Sequence, residues 1–531
     1  MALRRKRLWI AAAGLLLVLA IALVSAMFLF GGTPNDLQPP YDPPAILKIP
    51  RTYDAEAMAS VELPLARADA SPVQMSSEYY YSIGIRPIYK SYPIYAPDRE
   101  PAGYIDWLKQ QEPEIVFDLS KLKTEDDWIK AGELVFEAPS DYGHIFPLGD
   151  DLYVRDPEWD QYVAPPLLAN GVMPGMQYVI RRKGVVEVGI LSCANCHSRV
   201  MPDGTLVKGA QGNFPFDRAF AWDYDHIPKL FGLGTKLARS SETLLFGAPW
   251  LGAEDPMANV GQMSLTDIAS VHRAIPPGVL ARHGTNSALP SRIPDLIGIK
   301  DRKYLDATGL IRHRSIGDLM RYATMNQDTD PFAKYLGKAP AEAIPFGFVS
   351  LPKDPKKYVN GRYGDDQLYA LALYLYSLQP PKNPNPFDKT AAEGQKIFER
   401  EGCSSCHTPP LYTNNMLTLA SGFTPPPEDL KRYDIVPFSV GTNPDLALKT
   451  RRGTGYYKVP SLKGVWYRGP FEHNGSVLTL EDWFDLRRLS DDYVPTGFKG
   501  LKPSRPVPGH PFGLTLNPDE KRSLIAFLKT L

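Results

Sequence analysis

All four cysteines of this 531-residue chain lie in two short motifs of the same form. Residues 193–197 read C-A-N-C-H and residues 403–407 read C-S-S-C-H. In a C-x-x-C-H motif the two thiols reach the two vinyl groups of one haem, and the adjacent histidine ligates the iron from the same side. The sequence therefore predicts two covalently bound haem c groups. The predicted thiols are those of Cys193, Cys196, Cys403 and Cys406, and the predicted proximal iron ligands are His197 and His407.

Paired cysteines also occur in two other kinds of site. A thioredoxin-type C-x-x-C follows a strand in a βαβ unit, and no such unit is predicted around either motif. A zinc site would draw ligands from both pairs at once, which requires the two pairs to be close in space. A zinc-stabilised binding module therefore stays as an alternative, while haem attachment is the prediction.

The N-terminus carries an uncharged apolar run at residues 8–30, long enough to cross a bilayer as a helix. Four basic residues at positions 4–7 precede it and predict a cytoplasmic N-terminus with an exported remainder. A signal peptide cleaved after Ala26 is the alternative. Because the apolar run continues to Phe30, we expect an uncleaved anchor. The expected location is the inner (cytoplasmic) membrane, single-pass, with the bulk in the periplasm.

Charge and length limit the remaining possibilities. Lys+Arg and Asp+Glu are both 59, so no excess of positive charge points to a nucleic-acid partner. The length exceeds what a single hydrophobic core usually supports, which suggests several domains. The predicted divisions are a basic tail and transmembrane anchor (1–30), a Pro/Tyr-rich tether and wrapping extension (31–130), an N-terminal haem c domain (131–381) and a C-terminal cytochrome c domain (382–531).

Helix signals accompany both motifs. One helix is predicted from 364 to 378, and another begins at Asn517, where Pro518 and Glu520 complete a helix start. Gly394 and Phe398 precede the second motif at the spacing found in cytochrome c. Strand signals are sparse and include a short run at 184–190. The predicted fold class is mainly α: two tandem cytochrome c-like domains with long loops, preceded by one N-terminal transmembrane helix.

The second axial ligands decide what each haem can do, because a haem that activates peroxide or oxygen keeps one position open. For the second haem, Met416 lies too close to His407 in sequence to reach the opposite face of the haem. His473 and His510 remain, and His473 is predicted to be the second axial ligand. His510, between a glycine and a proline, reads as a loop residue. The first haem has several candidates without a decisive context, so an open or weakly occupied position is predicted for it. The candidates are His226, His272, His283, His313, Met257, Met263, Met320 and Met325.

The region after the second motif resembles a known family. Residues 457–466, 470–476 and 479–482 are similar to the signature of the bacterial di-haem cytochrome c peroxidases and their methylamine-utilisation relatives. The His-Asn-Gly-Ser sequence at 473–476 and the long gap between motifs are closer to the rubber-oxygenase branch. The resemblance covers roughly residues 130–531. No methionine follows His473, which is a departure from the peroxidases.

The resemblance implies a function. It makes His473 a ligand of the C-terminal haem and gives the N-terminal haem, with His197 as catalytic residue, the reaction with peroxide or dioxygen. The C-terminal haem would relay electrons from a redox partner protein. The resemblance also allows a calcium ion near Pro460, which the residues themselves do not support. The alternative is a membrane-tethered electron-transfer cytochrome with no catalysis, so whether the chain is an enzyme stays open.

Overall fold

The computed structural model describes residues 36–67, 76–142, 152–226, 248–281, 285–326 and 361–531, together with Thr235, Arg239, Glu242 and Phe246. In these ranges no helix combines the length and the apolar character needed to cross a membrane. The structure thus gives no support to the predicted transmembrane helix or to an inner-membrane, single-pass location, and both are corrected. The apolar run at 8–30 itself lies outside the described residues.

Helices account for about 36% of the structure and strands for about 13%. The predicted mainly α class is therefore wrong, because several sheets are present. The helices are α1 (Ala55–Val61), α2 (Ser77–Ser82), α3 (Tyr104–Leu108), α4 (Glu125–Glu137), α5 (Pro157–Val163), α6 (Cys193–Cys196), α7 (Phe216–His226), α8 (Leu265–Arg273), α9 (Ile316–Thr324), α10 (Asp365–Ser377), α11 (Lys389–Arg400), α12 (Asp429–Arg432), α13 (Asp445–Lys449), α14 (Leu480–Trp483) and α15 (Pro518–Lys529).

The strands form one four-stranded sheet and smaller ones. They are β1 (Ser91–Tyr95), β2 (Asp141–Tyr142), β3 (Val172–Arg182), β4 (Val185–Ile190), β5 (Ser198–Val200), β6 (Leu206–Lys208), β7 (Val279–Leu280), β8 (Ser291–Arg292), β9 (Tyr304–Leu305), β10 (Ile311–Arg312), β11 (Leu417–Leu419), β12 (Ile435–Val436) and β13 (Tyr456–Lys458). The large sheet has the order β1-β3-β4-β2 with every pair antiparallel. In the three-stranded sheet, β11 lies between β12 and β13.

The large sheet stands directly before the first C-x-x-C-H motif. Strand β4 ends at Ile190, and Ser192 caps the short helix α6 by accepting a hydrogen bond from the backbone N–H of Asn195. Strand β1 belongs to the segment predicted to wrap over its neighbour, and the same segment buries Tyr80 completely. The Tyr-rich extension is thus part of the folded core.

Two helix pairs frame the two motifs. Helix α4 packs against α10, and helix α11 packs against α15. Each crossing is made close by a glycine. A Cβ on Gly132 of α4 would collide with the carbonyl oxygen of Ala370, and a Cβ on Gly394 of α11 would collide with that of Ser523. The two pairs therefore share one mode of packing, in which a missing side chain lets two backbones touch.

Local capping explains where these helices begin. Thr124 starts α4 with a capping box completed by Asp127, and Asn517 starts α15 with one completed by Glu520. The backbone N–H of Gly364 donates to the Gln367 side chain at the start of α10. The predicted starts of α10 and α15 are confirmed.

Contacts also join the parts of the chain that carry the two motifs. The Trp250 indole Nε1 donates to the Lys449 carbonyl at 2.8 Å, and Asp306 forms an ion pair with Arg452. The backbone N–H of Lys458 donates to the Ala307 carbonyl at 3.1 Å. The segment around residue 307 thus lies against β13, which places the surroundings of one motif beside those of the other.

Candidate haem sites

The second motif presents an oriented imidazole. Cys403 begins a tight turn, and its carbonyl accepts the backbone N–H of His407 at 2.9 Å. The Nδ1 of His407 lies 3.1 Å from the carbonyl oxygen of Tyr412. Burial lowers the pKa of His407, which favours the neutral ring. A neutral imidazole that donates from Nδ1 to a carbonyl keeps Nε2 free as a metal ligand.

A large cavity opens beside this imidazole. Its volume is about 1480 Å³, a figure that includes space open to solvent, and both motif cysteines line it. Its walls are mainly apolar, which suits a macrocycle with hydrophobic faces. The apolar lining includes Phe398, Val465, Phe471, Phe484, Leu524 and Leu528. Thiols, imidazole and apolar walls in one cavity fit the haem c predicted at Cys403 and Cys406.

His510 faces His407 across the cavity. The two ring centres are 6.3 Å apart. Two imidazoles that each bind a shared metal through nitrogen at about 2 Å have ring centres roughly 6 Å apart. Burial, together with the neighbouring His407, lowers the pKa of His510 to about 4, so the ring is neutral at pH 7. His510 is thus spaced as a second axial ligand, although the sequence reads it as a loop residue.

Arg488 holds the loop that carries His510. The residue is 1% exposed, and its guanidinium donates to the carbonyl oxygens of Trp483, Val507, Gly509 and His510. The backbone N–H of His510 donates to Val440. His510 also has a φ of 47°, an uncommon value for a residue with a side chain. The surrounding hydrogen bonds thus maintain a backbone conformation that the residue does not prefer by itself.

His473, the predicted ligand, lines the same cavity. Its Nδ1 lies against the Glu472 carboxylate, and its ring centre lies 5.0 Å from that of Tyr457. Its carbonyl accepts the backbone N–H of Arg292 at 2.8 Å, which ties this wall to strand β8. The structure therefore brings His407, His473 and His510 to one cavity, and the ligand role of His473 stays a prediction.

The first motif orients its histidine in the same way. The His197 backbone N–H donates to the Cys193 carbonyl at 2.9 Å, and the His197 Nδ1 lies 2.9 Å from the Pro294 carbonyl oxygen. Burial lowers the pKa of His197 to about 4. Cys193 and Cys196 each pack against a different hydrophobic cluster. His197 is thus oriented as a proximal ligand, with Nε2 as the free nitrogen.

Several candidate second ligands of the first haem are engaged elsewhere. Both ring nitrogens of His272 bind carboxylates, those of Asp217 and Glu242. Those of His313 bind the Arg302 carbonyl and the Tyr376 hydroxyl. The ring of His226 stacks on Trp222 at 3.4 Å. Met257 and Met320 are buried core residues, Met263 and Met325 pack on core clusters, and His283 lies outside the described residues.

The surroundings of Pro460 do not fit a calcium ion. A cavity at this point is lined by Arg292, Arg302, Lys458 and Arg468, with Asp295 as its carboxylate. Four positive side chains repel a divalent cation, which needs several oxygen ligands of negative or neutral character. In the ranges covered by the structure, no group of three or more His, Cys, Asp or Glu residues is arranged to hold a metal ion.

Two C-x-x-C-H turns with histidines oriented through Nδ1 are the attachment geometry of c-type cytochromes. Comparison with curated proteins confirms the predicted resemblance to the di-haem cytochrome c peroxidase superfamily, at low identity. No family model matches the chain.

The relatives are matched over part of their length. Cytochrome-c peroxidase IdrP1 of Denitromonas iodatirespirans is 25% identical over 193 residues, which cover 30% of this chain and 48% of that protein. IdrP1 of a Pseudomonas species is 26% identical over 196 residues, with 32% and 49% covered. Methylamine utilization protein MauG of Methylorubrum extorquens is 30% identical over 145 residues, with 27% and 34% covered. The chain thus spans half or less of these relatives.

Among solved structures, hydrazine synthase of Kuenenia stuttgartiensis matches with a TM-score of 0.26 and 15% identity, over 56% of this chain and 87% of that one. A likeness of this size carries no argument about fold or function. The closer resemblance to the rubber-oxygenase branch stays a prediction.

Proposed function

We propose that this chain is a c-type cytochrome with two haems and acts as an oxidoreductase of the peroxidase or oxygenase type. The haem at Cys193 and Cys196 is the reactive one, and the haem at Cys403 and Cys406 relays electrons. The observation that carries the proposal is the spacing of His407 and His510. Imidazoles on both sides of one iron leave no position for a small oxidant, which suits electron transfer.

The protein side chains have separable roles in this proposal. His407 and His510 would hold the second iron, with the Tyr412 carbonyl and Arg488 fixing their orientation. His197, oriented by the Pro294 carbonyl, holds the first iron from one side. Haem c supplies one-electron chemistry and, where an axial position is open, binding of peroxide or dioxygen. The electrons would come from a redox partner protein or from the substrate.

The axial ligand is tested by comparing two single variants. We expect His510→Ala to convert one haem of the oxidised protein from low spin to high spin, read by absorption and electron paramagnetic resonance. His473→Ala, in the same cavity, should leave both haem spectra unchanged. The opposite pattern, with His473→Ala alone changing one haem, would assign the ligand to His473 as the sequence predicts.

The reaction class is tested on the oxidised protein with hydrogen peroxide. We expect one high-spin haem whose spectrum changes on addition and one low-spin haem. Two low-spin haems that do not respond would instead support the non-catalytic electron-transfer cytochrome. Replacing Cys193 and Cys196 together by alanine should halve the haem content measured as the pyridine haemochrome and remove the high-spin component. If haem content did not fall, the first attachment site would be wrong.

A further inference from the structure

A cluster of four cations lies between the two haem sites. Arg292, Arg302, Lys458 and Arg468 line one cavity together with Pro294, whose carbonyl holds the proximal His197. Arg292, Lys458 and Arg468 also line the larger cavity that contains Cys403, Cys406 and His407. We call these four residues the cationic cluster. It borders the second haem site directly and lies close behind the first.

Carboxylates act on two members of the cationic cluster only at a distance, Glu472 and Asp295 on Arg292 and Asp306 on Lys458. In the part of the chain that the structure describes, neither the guanidinium of Arg292 nor the Nζ of Lys458 has a hydrogen bond or an ion pair. Burial, together with the neighbouring arginines, lowers the pKa of Arg292 to about 10 and that of Lys458 to about 7. A charge removed from water is stabilised by a nearby counter-charge, so an anion placed beside these two groups would be bound favourably.

The nearby carboxylates do not supply that anion. Asp295 accepts from the Tyr467 hydroxyl at 2.9 Å, and its Oδ2 lies 3.7 Å from the Nε of Arg468, too far for a hydrogen bond. Glu472 is paired with His473, and Asp306 with Arg452. One carboxylate within the cavity therefore faces four cations.

Arg302 and Arg468 are fixed by backbone oxygens. Arg302 donates to the carbonyls of Asp295 and Ile297, and the Nη2 of Arg468 donates to the Ser461 carbonyl at 2.7 Å. Neutral carbonyl oxygens orient a guanidinium without cancelling its charge. Arg302 and Arg468 are thus held in place with their positive charges intact. Beside them, the guanidinium of Arg292 and the Nζ of Lys458 are available to donate hydrogen bonds.

We propose that the cationic cluster is a carboxylate-binding site that takes the two propionate groups of the C-terminal haem. This inference rests on the proposed function, since it requires haem at Cys403 and Cys406. Thioether bonds to the cysteines would hold the vinyl side of a haem c, which would leave its two propionates for other walls of the cavity. One cavity holds both the thiols and three of the cations, so each end of the cofactor meets a chemically matched wall.

The proposal predicts an effect on the reduction potential. Positive charge near the iron favours the reduced state, because reduction adds one negative charge. Arg292→Gln and Lys458→Met should therefore lower the midpoint potential of the His407 haem. We expect each to change the ratio of reduced to oxidised haem about tenfold at fixed potential, which is 59 mV for one electron. The measurement is a spectroelectrochemical titration of the purified holoprotein.

Matched controls separate this effect from general damage. Arg487→Gln and Lys463→Met remove the same charges from exposed positions and should leave both potentials unchanged. Lys458→Arg places a positive charge at the same position and should not lower the potential. Haem content is measured for every variant. An absence of haem in the parent protein refutes the proposed function itself, whereas normal haem content with unchanged potentials in both cluster variants overturns this inference alone.

A small anion from solution is the competing source of the same chemistry. The parent protein is therefore titrated with and without inorganic phosphate at constant ionic strength. If the propionates fill the cluster, phosphate leaves the midpoint potential unchanged. A phosphate-dependent shift in the parent that disappears in Arg292→Gln would show that the cluster binds a free anion, and would overturn the proposal.

Discussion

Replacing Gly394 by alanine tests the packing of the helix pair behind the second motif. In an ordinary helix this change stabilises the fold by about 1 kcal/mol, because alanine has the higher helix propensity. Here the new Cβ would collide with the Ser523 carbonyl oxygen and come within 2.8 Å of the Phe527 Cβ. Both obstacles belong to the facing helix, so α11 and α15 have to separate.

The magnitude follows from the two opposing terms. Forcing a methyl group into a packed interface costs about 1–3 kcal/mol, and a clash with backbone is at the upper end because no side chain can move aside. Subtracting the gain in propensity, we expect a net loss of about 1–2 kcal/mol in the free energy of unfolding. For a domain of about 150–250 residues, each kcal/mol lowers Tm by roughly 2–4 °C.

The assay is chemical unfolding of the holoprotein, followed by far-ultraviolet circular dichroism and by Soret absorbance. Glu393→Ala changes an exposed neighbour in the same helix, whose ion pair with Lys396 contributes little, and serves as the control. Gly132→Ala should repeat the loss in the other helix pair, because its Cβ meets the Ala370 carbonyl. A Gly394→Ala protein as stable as the parent, or more so, would refute the close contact.

Two further predictions concern buried polar groups. Arg488→Met should lower the free energy of unfolding by about 2–4 kcal/mol, because buried carbonyl oxygens lose their donor. It should also increase the high-spin fraction of the His510 haem. The control variant Arg487→Met should change neither quantity. Burial lowers the pKa of His272, but Glu242 and Asp217 raise it overall, to about 9. The resulting stabilisation is complete below about pH 6.5 and is lost as pH rises through 9. The free energy of unfolding of the parent protein should therefore decline over this pH range, and that of His272→Gln should not.

Each of these two predictions has an outcome that would contradict it. Equal stability and spectra for Arg488→Met and Arg487→Met would mean that the loop of His510 is fixed by other contacts. An equally steep decline in the parent and in His272→Gln would assign the pH dependence to another group.

The capped helices were predictable because their signals are local. Asn517, Pro518 and Glu520 specify the start of α15 within four residues, and the structure confirms it. The helix α4 was missed although Gly132 and Phe136 repeat the spacing of Gly394 and Phe398. Three strands of the large sheet, β2 to β4, lie between α4 and its motif in the chain, so the spacing that identified the second helix does not apply to the first.

The histidines of the second cavity show a different limit. His473 stands in a recognisable sequence, whereas His510 lies between a glycine and a proline and reads as a turn. Its position depends on Arg488, which is 22 residues away and binds backbone oxygens that any residue could provide. The cationic cluster was also missed, because its members come from four segments that only the tertiary fold brings together.

The two glycine-centred helix pairs also differ in the order in which the chain can complete them. In the second pair, α11 directly precedes its cysteines, and α15 is needed to finish the packing. In the first pair, α4 must wait for α10, which begins only at Asp365, long after Cys193 and Cys196 in chain order. Contacts between residues so distant in sequence form slowly, because a long loop must close first. The first pair of thiols therefore spends a longer part of folding in an open module, accessible to whatever attaches the cofactor.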